Sequence, residues 1–471
     1  MSTVTRRLPP AVTYVSPRLR RLAARGTSAG YRANSRLAYW IAWLFPGSLV
    51  APSSLTIVVG ALTVPRIALF LASVWTFREL WRKLTMGGYV PIASDLLVPI
   101  TAIWMLVTLG IHEGAKGLVG YGAVAAIEFA LAYFLARVFF GTPAGFQQMV
   151  RVLRFVAAIL VVTAFLDTIS GQHLIWTIGR ILSRAPLDDI IVKRFGLVRA
   201  QGSLEHPILF GVFFVMCTLI IGHSALRAIE KIGWIAVCVV GILLPLSSAP
   251  VLSLLMSIAT ILFLRAFDRF PWRMLVLAAA AIFALVTFFA LVDDPLTTLI
   301  QNLTYDPQTG LFRVLIWQWV GLNVERAPWI GIGFADWLRS EEMPSSIDSL
   351  YLIQTIRHGV PALVLMVLSF LSTGVTMPLR PQRRYESERI TVLRQGLAIV
   401  IFIIVFNAFT VHFWGSTWAL LAIVLGARAG LTESIYLHPS TRDDEPPSSA
   451  LVGSGEGSPR VKRVLKRTMT G

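Results

Sequence analysis

The stretch Ser345-Ser346-Ile347-Asp348-Ser349-Leu350-Tyr351-Leu352 decides the reading of this chain. Before it lies a polar segment rich in aromatic residues that carries Arg313, Arg326, Arg339 and Asp336. After it an apolar run begins. A helix of roughly 20 apolar residues crosses a bilayer core, and runs of that length recur along most of the 471 residues, 55% of which are hydrophobic and only 14% charged. Backbone polar groups have to be satisfied inside lipid, so the spans are helices; the alternating pattern of a membrane barrel is missing. The expected fold is all-α, a polytopic transmembrane bundle of about 12 spans.

Lys and Arg set the expected orientation. With the N-terminus inside, 31 of the 42 basic residues fall in inner segments and 9 in outer ones. Both termini are therefore expected in the cytoplasm. Residues 1–37 read as a basic cytoplasmic arm and 38–292 as spans one to nine, the second near 55–77, the fifth near 155–170 and the ninth near 274–292. Residues 293–348 read as a long periplasmic loop containing an amphipathic helix, and 349–430 as spans ten to twelve. The Pro-, Ser- and Gly-rich tail 431–471 reads as disordered and cytoplasmic. The Arg-rich start has no apolar segment before about residue 37, so no cleavable signal peptide is expected.

The net charge of +17 does not point to nucleic acid, because the basic residues sit in short loops between spans. Cys217 and Cys238 lie in separate apolar helices, and no CxxC or His/Cys cluster marks a metal site. No cofactor is expected. Ionisable groups inside spans need partners. By depth alone Arg66 matches Glu128 and Asp95 matches Arg137, either to fix helix packing or to serve substrate passage.

Several features converge on the outer face. Lys193 and Arg194 open a basic loop that runs through Arg199 to Gly202. Glu205-His206-Pro207 opens the sixth span, with Pro207 suited to the first helical turn. Gly310 to Trp319 reads as an amphipathic helix, and Ala327 to Trp337 as a glycine-rich aromatic turn. Asp348 stands at the start of the tenth span, with Arg357 and His358 two to three turns into it. The sixth and tenth spans both enter from outside, so their N-termini favour an anion there. Arg199 and Arg313 add the guanidinium groups that suit a phosphate or diphosphate.

A polyprenyl-diphosphate sugar fits such a site, with its tail among the helices and its diphosphate at the interface. Arg194, Arg357, Trp317 and Trp337 are further candidates for binding diphosphate or sugar. Asp348, His206 and His358 are the candidate catalytic residues. Plainer roles compete: Arg313 and the Trp residues as interfacial anchors, Asp348 as a helix cap that Ser345 or Ser346 could replace, His358 and Arg357 as interhelical hydrogen-bonders. His112, His173, His223 and His412 show no partner pattern.

Three stretches resemble the O-antigen ligase and polymerase group of bacterial membrane glycosyltransferases. Arg199 to Pro207 is similar to an "R-x-x-G … H-P" stretch ahead of a span. Arg313 to Trp317, followed by Pro328-Trp329-Ile330-Gly331-Ile332-Gly333, is similar to an "R-x-x-x-W … P-x-x-G-x-G" loop. Asp348-Ser349-Leu350-Tyr351-Leu352 … Gly359 is similar to an "H-N-x-Y-L … G" helix start, with Asp348-Ser349 in place of His-Asn. The span Glu128 to Arg137 resembles one in the exopolysaccharide branch.

The resemblance implies a metal-independent, inverting transfer of an undecaprenyl-diphosphate-linked oligosaccharide on the periplasmic side of the inner membrane. Asp348 would then take the base role, with His358 or His206 as rivals. Polymerisation into an exopolysaccharide or O-antigen is the first expectation, and ligation to lipid A-core the second. The implied partners are the lipid-linked donor, membrane lipid and a chain-length regulator. A flippase of lipid-linked sugars would also have about 12 spans, but the chain has no related halves and the long aromatic loop would be idle.

Overall fold

The computed structural model describes residues 35–270 and 307–436, apart from 59–61, 87, 188–190, 344 and 378–386, with scattered positions between 272 and 291. Most of the expected basic arm, most of the ninth span, residues 293–306 of the expected loop and the tail from 437 lie outside the described residues. The helices in chain order are α1 (Ser35–Ser48), α2 (Val64–Thr85), α3 (Ser94–Gly117), α4 (Tyr121–Phe139) and α5 (Pro143–Ser170). There follow α6 (Leu174–Leu182), α7 (Pro207–Gly222), α8 (Ala228–Leu243), α9 (Ser248–Ala266) and α10 (Pro307–Arg326). The last are α11 (Leu350–Leu371), α12 (Glu388–Asn407) and α13 (Ser416–Ser434). Two short hairpins interrupt them, β1 (Thr56–Val58) with β2 (Leu62–Thr63) and β3 (Lys193–Arg194) with β4 (Leu197–Val198).

Among the described residues, 6 helices are long and apolar enough to cross a membrane: α3, α4, α5, α9, α11 with its 3-10 extension, and α12. α7 is apolar but shorter. Two elements differ from expectation. The second span does not start near residue 55, where the β1–β2 hairpin stands; α2 starts at Val64 and places Pro65 in its first turn. A proline is tolerated there because the first N–H groups of a helix have no intrahelical partner. The fifth span begins a dozen residues early. Thr142 caps α5 by accepting the Gly145 N–H at 3.1 Å, and Pro143 occupies its first turn. The arginines expected in a loop ride on this helix, Arg151 over the Tyr39 ring at 5.8 Å and Arg154 over Trp234 at 4.7 Å, where ring faces attract guanidinium groups.

Small residues let α4 and α13 approach closely, as helices in lipid commonly do. A Cβ added at Gly426 would lie 2.0 Å from the Tyr133 carbonyl. Phe129 stacks on Trp418 across the same seam. Both charge pairs matched by depth form. Arg66 Nε lies 3.1 Å from Glu128 Oε2, both buried. Arg137 Nε lies 2.9 Å from Asp95 Oδ1. Arg137 also meets Glu433 from α13 at 2.7 Å and donates to the Val90 carbonyl at 2.8 Å, while Lys83 reaches Glu433 at 3.1 Å. This node ties the C-terminal ends of α2, α4 and α13 to the N-terminal end of α3.

α11 is broken in a way that its sequence dictates. Gly359 takes a left-handed φ of 81°, and Pro361 follows. Pro361 has no N–H, so the Arg357 carbonyl loses its helical partner. Val360 turns its N–H to the Pro328 carbonyl at 2.7 Å, which also frees the Ile356 carbonyl. The glycine-rich turn makes good both losses. Ile332 N–H donates to Ile356 O at 2.8 Å and Gly333 N–H to Arg357 O at 3.1 Å. Backbone polar groups at membrane depth persist only when satisfied in this manner. A Cβ at Gly359 would meet the Trp329 carbonyl at 2.1 Å, so glycine is required for the approach as well as for the φ.

Candidate functional site

The end of the bundle away from Arg137 gathers the start of α7, the α8–α9 turn, the start of α11 and the turn between α12 and α13. α10 brings Arg313 to this end. Its inward stripe is Ile316, Val320 and Asn323, and Arg313 lies one turn before it on the same face. Asn323 fixes the chain that follows: its amide donates to Leu338 O and accepts the Leu338 N–H, at 2.8 and 2.9 Å.

Ser349 caps α11. Its hydroxyl accepts the Leu352 N–H at 3.4 Å and donates to the Ala408 carbonyl at 2.9 Å. Asp348 is thereby released from capping. Its half-exposed carboxylate lies 3.7 Å from Arg313 Nε, an ion-pair separation too long for a hydrogen bond.

Arg199 comes from the chain after the β3–β4 hairpin. Phe195 and Gly196 form its two-residue turn with φ of 51° and 77°, the doubly positive geometry that suits tight hairpins. Lys193 and Arg194 thus stand beside Arg199. Arg194 donates to Leu246 O at 2.9 Å and Arg199 Nε to Pro245 O at 3.2 Å, so both lean on the α8–α9 turn. Behind them, Asp167 accepts the Gly202 N–H at 2.9 Å and His173 Nε2 lies 3.1 Å from the Arg199 carbonyl. Arg199 is 8% exposed. Among the described residues its Nη2 and the Arg313 Nε have no hydrogen-bond partner. Burial, with Arg194 and Arg313 nearby, pushes the Arg199 guanidinium down to about 10. Burial also lowers Arg313, as does Arg194, while Asp348 opposes the shift.

His206 caps α7. Its Nδ1 accepts the Ile208 N–H at 3.1 Å, which leaves the proton on Nε2. Burial, then Arg199 and Arg313, push it down to about 4, so the ring is neutral. A neutral imidazole with Nδ1 already engaged donates a hydrogen bond from Nε2; it does not take a proton there.

These groups line one cleft of about 270 Å³, which contains Arg194, Arg199, His206, Arg313 and Asp348, with Lys193, Ser247, His412 and Trp414. A second cavity, between Pro46, Met149, Phe213 and Leu420, is about 10 Å³ and wholly apolar. The α7 and α11 N-termini open on the cleft as expected, but the N–H groups of Ile208, Leu350 and Leu352 are already bonded within the protein. The positive potential of the cleft therefore rests chiefly on side chains.

The other four candidates lie outside the cleft. Trp317 faces Phe409 at 6.3 Å. Trp337 is buried and donates to Ser345 O at 3.0 Å, with Arg339 over its ring. Arg357 lies over Phe334 at 4.2 Å. His358 is buried in α11, with Nδ1 2.7 Å from the Thr108 hydroxyl. His412 and Trp414 were not singled out from the sequence. A lone His and Trp in an eight-residue turn between apolar helices form no spacing pattern. Only the fold shows that Trp414 meets His206, with His412 beside Trp414.

The bundle has 6 helices long and apolar enough to cross a membrane among the described residues, and a cleft lined mainly by cations at one end. Residues 233–367 match the family model described as O-antigen ligase. Over that stretch the chain is similar to O-antigen ligases, and its 6 long apolar helices among the described residues are those of a multi-pass membrane protein. The matched stretch supplies Ser247, Arg313 and Asp348 to the cleft; Arg194, Arg199, His206, His412 and Trp414 come from outside it. No curated protein matches the chain significantly.

Proposed function

We propose that the protein polymerises undecaprenyl-diphosphate-linked oligosaccharides into a surface polysaccharide by inverting transfer at the periplasmic face of the inner membrane. The observation that carries this reading is the convergence of Arg194, Arg199 and Arg313 on one cleft beside a single carboxylate, Asp348. Guanidinium groups hold phosphate oxygens through paired, charge-assisted hydrogen bonds. The excess of cations over acids within the cleft favours an anion of two or more charges. Ligand pockets commonly measure about 300–1,000 Å³. A cleft of about 270 Å³, just below that range, suits the reacting headgroup, with the lipid tail left among the helices.

In this reading Arg199 and Arg313 hold the donor's diphosphate, and Arg194 and Lys193 rim it. The acceptor hydroxyl attacks the anomeric carbon from the face opposite the leaving group. Its proton passes to the Asp348 carboxylate, a new C–O bond forms, and the bond to the diphosphate oxygen breaks. The polyprenyl diphosphate leaves with its charge held by the arginines, an electrostatic contribution of the kind that dominates many sites. The diphosphate also competes for Arg313, which frees Asp348 from its ion pair. His206 donates from Nε2 to donor or acceptor and is not the base. The positive-inside count supports a periplasmic position for this end. No chain-length regulator is needed for the chemistry, and its association remains part of the proposal.

The family description favours a second reading, ligation of a finished glycan to a lipid acceptor. Reconstitution of the full chain with a synthetic undecaprenyl-diphosphate-linked repeat separates the two. Polymer formed from that lipid alone supports the first reading. Product formed only when lipid A-core is added supports the second. Full product with Arg313→Ala sinks both.

A further inference from the structure

The cleft has two chemically different walls. One is cationic: Lys193, Arg194, Arg199 and Arg313. The other is the turn between α12 and α13, which presents His412 and Trp414 to His206. The Trp414 ring lies 5.6 Å from His206 and 5.2 Å from His412, centroid to centroid. This wall carries no formal charge. Burial, then Arg357, push His412 down to about 3, so its imidazole is neutral, as His206 is.

The turn is held from several sides. At its start, Ala408 O accepts both the Ser349 hydroxyl and the Leu350 N–H, at 2.9 and 3.0 Å, and Val411 O accepts the same N–H at 3.2 Å. At its end, Ser416 N–H donates to Glu205 Oε1 at 2.6 Å. Gly415 adopts φ 56°, and the carboxylate of Glu205 fills the place that a Cβ would occupy. The residues that fix the turn are thus Ser349, next to Asp348, and Glu205, next to His206. A platform braced by the neighbours of two cleft residues is preorganised for a ligand rather than left to settle on one.

We propose that Trp414, with His412 and His206, forms the subsite for the sugar ring next to the diphosphate. The chemistry matches. One face of a pyranose is a patch of C–H groups, apolar and faintly positive, and an aromatic face is apolar and negative. Sugar hydroxyls both donate and accept; His206 has its Nε2–H left to donate, and the neutral His412 imidazole has one donor and one acceptor. The charged wall alone would bind the bare diphosphate as well as the glycosylated one. The aromatic wall is what distinguishes them. It would align the anomeric carbon between the arginines and Asp348.

This subsite rests on the diphosphate reading, and its test separates the two. The full chain in lipid nanodiscs is titrated with undecaprenyl diphosphate and with the same lipid carrying glucose, galactose or N-acetylglucosamine. Wild-type protein binds the bare lipid, and the best of the three sugars tightens binding about tenfold. Trp414→Ala removes that gain and keeps the affinity for the bare lipid. Trp414→Phe keeps part of the gain and serves as the second variant if Ala unsettles the turn. His412→Ala reduces the gain and His412→Gln restores it. Arg313→Ala weakens both lipids together. Three outcomes overturn the subsite: no gain for any sugar in the wild type, a gain that survives Trp414→Ala, or equal loss of both lipids in Trp414→Ala and Trp414→Phe. A wild-type chain that does not bind the bare lipid overturns the diphosphate reading, and this one with it.

Discussion

Arg137 and the Arg199–Arg313 pair, at opposite ends of the bundle, are held in opposite ways. Arg137 meets Asp95, Glu433 and the Val90 carbonyl, and every nitrogen of its guanidinium is used. Arg199 and Arg313 lie beside Arg194 with one carboxylate among them, and each keeps a nitrogen without a hydrogen bond among the described residues. Burying a charge costs several kcal/mol unless it is paired. A saturated node repays that cost inside the fold, so it belongs to the architecture. An undersaturated cluster leaves the cost standing until something anionic arrives. Under the proposed function, Arg137 holds helices together while Arg199 and Arg313 keep nitrogens for a ligand.

The comparison breaks most visibly at Asp348. Asp348→Asn is expected to leave the fold intact and lower the rate of product formation about 10²–10⁴-fold, the usual contribution of a general base; near-normal polymer yield would remove Asp348 from the chemistry. At the opposite end Arg137→Met leaves Asp95 without its cation and Glu433 with Lys83 alone. A stability loss of about 3–5 kcal/mol is expected in detergent unfolding, and an unchanged midpoint would mean that the node is decorative. Arg199→Met should do the reverse of Arg137→Met: the unfolding midpoint rises because a crowded cation is gone, while turnover falls about 10²–10³-fold, as when an oxyanion donor is lost. If Arg199→Met is destabilising, the contrast between the ends fails. The smallest effect is expected for Ser349→Ala, about 1 kcal/mol from a lost cap, with the turnover deficit exceeding the stability deficit because the cap also braces Ala408.

Much of this was legible in the chain before folding. Length and apolarity gave a bundle of apolar helices, 6 of them long enough to cross a membrane among the described residues, and depth paired Arg66 with Glu128 and Asp95 with Arg137. Glu433 escaped notice because nothing local links it to Arg137, nearly 300 residues earlier; the tight seam of α4 and α13 brings it there. Arg194, Arg199, His206, Arg313 and Asp348 could be grouped because each stands at a helix mouth or on a polar segment of the same expected side. Arg357, His358 and Trp337 could not be sorted from them by sequence. Their positions depend on how Gly331 and Gly333 dock on the break at Gly359, a long-range backbone match without a side-chain signature. The early start of α5 has no sequence signal, because Arg151 and Arg154 resemble loop charges, whereas ring faces carry them on a helix.

That break in α11 has a mechanical consequence. Val360, Ile332 and Gly333 stitch the turn after α10 to the middle of α11 with three backbone hydrogen bonds. Two segments laced in this way move as one body. Arg313, on the helix that leads into the turn, and Asp348, just before α11, are then held at a nearly constant separation. Under the proposed function, room for a lengthening glycan has to come from elsewhere on the rim, from the β3–β4 hairpin tip or the span of chain before α7. Amide hydrogens at 332, 333 and 360 should accordingly exchange at a common slow rate, while those around Gly196 exchange fast.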